Sequence, residues 1–167
     1  MKVGRAVLIL FCCTLLACPN NGTPVPEDAQ QGGPCTEESA SSLNAGSWTG
    51  SSFETLESGD SPSIEFGSQG GIMASFDLLA TGVGSSAKDL KVEFRSIDGN
   101  ETYQSDTFSS VSFACQNTAG QVLVDMAVEV SNVPMNEAVL FYLEASFESE
   151  TGDPILVQSE TEIVLTL

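Results

Sequence analysis

Apolar residues recur at every second position through most of residues 64–165. That period belongs to a half-buried β-strand and not to a helix. Val139, Phe141, Leu143, Ala145 and Phe147 form one such row, and Ile72, Ala74, Phe76, Leu78 and Ala80 a second. Val122, Val124, Met126, Val128 and Val130 form the longest uniform row, and Leu90, Val92 and Phe94 alternate with Lys91, Glu93 and Arg95. Ile64 with Phe66 makes a short row, while Val111, Phe113 and Cys115 share a parity, as do Ile155, Val157, Ile163 and Leu165. Turn-forming stretches separate the rows: GSQGG at 67–71, DGN at 98–100, NTAG at 117–120, NVPMN at 132–136 and ETGD at 150–153. Connections this short exclude parallel crossovers, so the expected fold is an all-β antiparallel sandwich. In the row at 139–147 the opposite parity also carries Leu140 and Tyr142. A strand that is apolar on both faces is expected to be central and covered on each side, or to present a partner-binding patch.

The start of the chain has another character. Lys2 and Arg5 precede an uncharged run from Ala6 to Ala17. At 1.5 Å per residue that run reaches only about 18 Å, short of a ~30 Å hydrocarbon core, and it has the form of an export signal. Leu15-Leu16-Ala17-Cys18 resembles the bacterial lipobox, with an aliphatic residue at −3, a small one at −1 and cysteine at +1. The resemblance implies removal of residues 1–17 and acylation of Cys18, which becomes the first mature residue. One acyl chain holds a protein only marginally and several hold it firmly. Residues 19–34 contain four of the seven prolines and no hydrophobic period, so they read as a linker. Residues 36–46 are small and polar, which places a linker over 18–46 and the domain over 47–167.

The stretch FETLESGDSPSIEFGSQGGIMASFDLLATG (53–82) and the ending YLEASFESETGDPILVQSETEIVLTL (142–167) resemble segments of uncharacterised Gram-negative lipoproteins. Ser68 stands where those relatives carry proline, and Ile72-Met73 where a polar or aromatic pair is frequent. The resemblance implies an Ig-like β-sandwich of about 7–9 strands and an envelope location, and brings no activity. Pro19-Asn20 lacks the aspartate that marks inner-membrane retention, so the outer membrane is the expected address.

Past Cys18 the chain carries three cations, Lys88, Lys91 and Arg95, against all 23 acids, a net charge of −20. Such a surface repels phosphate backbones and excludes nucleic acid as a partner. It also repels anionic lipid, so membrane attachment falls to the lipid on Cys18. With Cys18 acylated, Cys35 and Cys115 remain in an oxidising setting and are expected to form a disulfide, with Cys115 facing inward beside Phe113.

Histidine is absent, which removes Ser-His-Asp and Cys-His catalysis and the commonest metal ligand. No enzyme activity, cofactor or metal is expected. The expected role is structural or protein-binding, with an envelope protein as partner. The alternative is a calcium- or glycan-binding module. Its candidate loops are Asp98–Glu101 and Glu148–Asp153, which lack the spacing of a calcium-binding helix-loop-helix, and its candidate aromatics are Trp48, Tyr103 and Tyr142.

Overall fold

The computed structural model describes residues 35, 40–68, 70–116, 119–149 and 151–167. Ten strands and no helix occur among them: β1 Ser42–Trp48, β2 Phe53–Thr55, β3 Ser63–Phe66, β4 Ile72–Thr81, β5 Ser86–Arg95, β6 Thr102–Ser112, β7 Ala114–Gln116, β8 Gly120–Glu129, β9 Ala138–Glu148 and β10 Pro154–Val164. All pairings are antiparallel. One sheet has the order β2-β1-β4-β8-β7, with β3 paired to β4 beyond the reach of β1; the other has the order β10-β9-β5-β6. If β1, β4, β5, β6, β7, β8, β9 and β10 are read as strands A, B, C, C′, D, E, F and G, the sheets are A-B-E-D and G-F-C-C′. That is the immunoglobulin arrangement, and it makes the chain an Ig-like β-sandwich.

The alternating rows meet between the sheets. Val139, Phe141, Leu143, Ala145 and Phe147 of β9 are each at most 2% exposed, and Ala74, Leu78 and Ala80 of β4 are fully buried opposite them. One aromatic pair bridges the layers, Phe76 meeting Phe141 edge-on at 4.9 Å, and within the second sheet Phe94 meets Phe141 at 5.1 Å. Pairs in this range add about 0.5–1.5 kcal/mol beyond the area they bury.

Four expectations need correction. The domain begins before residue 47, because β1 starts at Ser42 and buries Leu43 and Ala45 in the core. Ten strands form among the described residues, more than the seven to nine expected, since β2 and most of β1 and β6 carry too few large apolar residues to show a period. The long row of β8 does not keep one face. Val124 and Asp125 together oppose the single residue Asp77, so the parity changes at this bulge. Val128 and Val130 enter the core, whereas Val124 is 48% exposed. Cys115 does not face inward either. The chain crosses between sheets at Phe113, whose N–H donates to the Ser85 carbonyl, and Cys115 emerges exposed on the edge strand β7.

Asp77 fixes the bulge. Its Oδ1 accepts the Asp125 N–H at 2.8 Å, where Asp125 has a φ of 57°, and its Oδ2 accepts the Trp48 N–H at 2.6 Å. One carboxylate therefore ties β4 to the kink in β8 and to the end of β1. Asp77→Ala deprives both amides of their acceptor and is expected to cost about 1–3 kcal/mol in urea denaturation.

Candidate functional site

The outer face of β10-β9-β5-β6 carries the densest polar network among the described residues. It grows from the sequence KVEFR at 91–95: Val92 and Phe94 point into the core, so Lys91, Glu93 and Arg95 point out. Strand register then sets rows across the sheet. Lys91 lies beside Glu144, which faces Gln158, and Glu93 lies between Ser105 and Tyr142, with Glu160 beyond.

Glu93 is the centre of this face. It is 6% exposed, and both carboxylate oxygens are engaged. Oε1 accepts from Lys91 Nζ at 2.8 Å and from Ser105 Oγ at 2.9 Å; Oε2 accepts from Arg95 Nε at 2.8 Å and also from Arg95 Nη2. Burial alone would raise its pKa. The hydrogen bonds from Lys91, Arg95 and Ser105 outweigh burial and hold the carboxyl below the usual glutamate value.

Arg95 extends the network. Its guanidinium lies 3.8 Å from the centre of the Tyr142 ring, and Nη1 reaches Glu160 Oε1 at 3.4 Å. Burial opposes its charge, but Glu93 holds its pKa above the ordinary arginine value. Tyr142 is 8% exposed, so the apolar outer parity of β9 is covered here by an arginine side chain rather than by a loop. The Tyr142 hydroxyl donates to Glu144 Oε2 at 2.6 Å, and Gln158 Nε2 donates to the same oxygen at 2.5 Å. Burial, reinforced by Glu144, pushes the phenol up to about 12, while the bonds from Tyr142 and Gln158 hold Glu144 below the usual carboxylate range.

These pKa directions define what the network can do. A carboxylate held below its usual range is a weak base at neutral pH, and a phenol at about 12 is a weak acid. The face is a set of fixed, mutually satisfied charges, suited to holding four strands in register and to presenting a rigid polar surface. Because the Glu93 pKa is lowered on folding, its contribution is present above the unfolded carboxylate pKa and is lost as pH falls through the folded one. Glu93→Gln is therefore expected to cost about 1–3 kcal/mol at pH 7, and the gap to wild type should close as pH falls below about 4. Urea melts at pH 7 and pH 3 measure both arms.

The other sequence candidates are dispersed. Cys18 lies outside the described residues. Cys35 and Cys115 are joined, with their Sγ atoms 2.07 Å apart. Trp48 ends β1 in one sheet, Tyr103 packs against the core from β6, and Tyr142 lies on the outer face of the other sheet, so the three aromatics make no common platform. Asp98 spends its carboxylate within its own turn, accepting from Ser96 Oγ at 2.5 Å and from the Asn100 side chain at 2.7 Å. In the loop at 149–153, Thr151 Oγ1 donates to Asp153 Oδ2, and Ser149 Oγ accepts the Asp153 N–H. Among the described residues no three acidic or cysteine side chains converge on a metal-sized space.

The charge order plus-minus-plus at every second residue puts Lys91, Glu93 and Arg95 on an outward face, but only the strand alongside, which sequence alone does not identify, joins them to Tyr142 and Glu144. Comparison of the chain with protein-family models, with characterised proteins and with solved structures finds no match in any of the three, so the chemistry of this face stands on its own geometry.

Proposed function

We propose that this protein is a lipid-anchored component of the bacterial cell envelope, held by acyl chains on Cys18. Its Ig-like sandwich acts without catalysis, as a structural or protein-binding module. The observation that carries this reading is the Cys35–Cys115 bridge. Disulfides of this kind belong to oxidising compartments, and a bridge between these two cysteines leaves the lipobox cysteine to its own chemistry. The net charge of −20 past Cys18 supports a covalent anchor over adsorption to anionic lipid, and the absence of an aspartate at Pro19-Asn20 supports the outer membrane over the inner.

The test is Cys18→Ser in the producing cell. Wild type is expected to incorporate labelled fatty acid and to sediment with membranes, and the variant to lose both. A variant that stays in the membrane fraction contradicts the anchor.

A further inference from the structure

In the Ig-like order one strand position is only partly filled. The place beside β8 belongs to β7, which pairs over three residues only, Ala114–Gln116 against Gly120–Val122. From Leu123 to Glu129, β8 is paired with β4 on one side, and no described strand borders its other side. Across this gap runs β6, the edge of the second sheet. Between the two strands lies a groove of about 270 Å³ lined by Phe108, Val111, Leu123, Val124 and Met126. An open backbone ladder beside an apolar trough suits an added strand, whose backbone supplies hydrogen bonds while alternate side chains enter the trough.

We propose that an extended cationic segment of a partner protein completes this position, apolar at alternate residues with Lys or Arg between them. Charge selects the occupant. Asp125 lines the groove, and Asp106 shares the inward side of β6 with Phe108. Past Cys18 the chain's own cations, Lys88, Lys91 and Arg95, are all on β5, where Lys91 and Arg95 are bound to Glu93. Residues 19–34 are poor candidates, since their four prolines lack the N–H a ladder needs and Val25 is their one large aliphatic residue. A second copy is disfavoured too: each copy carries −20 past Cys18, and Asp106 on the inward side guards the β6 edge against like strands. The proposal rests on the protein-binding role given above, but its peptide-binding test uses purified protein and is independent of the anchor.

The probe is a synthetic nine-residue peptide alternating Val and Lys, compared with one alternating Val and Glu and with a Val-Lys peptide in block order. The alternating Val-Lys peptide is expected to slow amide hydrogen exchange within 123–129 at least tenfold, with little change in β10. Asp106→Asn with Asp125→Asn should weaken its binding at least fivefold while leaving the melting midpoint near that of wild type. In intact envelopes, a photo-cross-linking residue at Val124 should join a cationic, alternating peptide of another protein. The proposal is overturned by unchanged exchange at 123–129, by equal slowing with the Glu or block peptide, or by cross-links confined to this chain.

Discussion

Replacing Cys35 and Cys115 together by serine is expected to lower the folding stability by roughly 4–5 kcal/mol, the value chain entropy gives for a loop of this length. The two cysteines are 80 residues apart in sequence, and their bridge closes a loop holding β1–β6. Without it the unfolded chain regains the conformations that the loop excludes, while the folded sandwich keeps its core. The effect is therefore carried largely by the unfolded state. Local contacts add to it: Gln121, 4% exposed, donates through Nε2 to the Cys35 carbonyl at 3.4 Å, so the bridge also holds Cys35 against the start of β8. Urea denaturation of the double variant against oxidised wild type measures the loss. The m-value should rise, because an uncross-linked chain exposes more surface on unfolding. A loss below about 1 kcal/mol would show that the loop is already constrained without the bridge.

Phe141→Ala is the second large effect, at about 3–5 kcal/mol. Phe141 is 2% exposed on β9, between β10 and β5, and its ring touches Phe94 of its own sheet and Phe76 of the facing one. Truncation removes the ring's transfer energy and leaves a cavity between two sheets whose ladders prevent collapse. Because Phe76 and Phe141 are in contact, Phe76→Ala in the same chain should cost less than the sum of the two single changes. A double-mutant cycle in urea reads this coupling. Strict additivity would mean that the rings pack independently.

The strands legible in the sequence are those where one face meets the core without interruption. β4 and β9 show their full alternation, and every apolar residue of the β9 row is buried as its parity implies. β8 misleads because one extra residue at Val124–Asp125 exchanges the faces, while the sequence on both sides of the bulge is rich in valine. β6 is hidden because, at a sheet edge, Gln104 and Asp106 occupy inward positions that a central strand would give to apolar residues. β1 is hidden because SLNAGSW fills its core positions with Leu43 and Ala45 alone. Gly46 has a positional reason in that strand: a Cβ there would lie 2.0 Å from the Glu54 carbonyl oxygen, where β2 crosses close to β1.

The polar face was half legible for a related reason. Alternation along β5 sends three charges outward, but the partners of those charges come from β6, β9 and β10, and only register brings them together. Tyr142 shows the difference. Parity assigns it to the outer face of β9, and the stacked guanidinium of Arg95 explains why a buried ring is stable there.

The mass of the intact protein, extracted from membranes in detergent, tests the envelope assignment most directly. The expected species begins at Cys18, lacks residues 1–17, and carries a thioether-linked diacylglycerol and an amide-linked acyl chain on that residue, with Cys35 and Cys115 two hydrogens short of free thiols. A chain that still begins at Met1, or one that begins at Cys18 with an unmodified thiol, would contradict it.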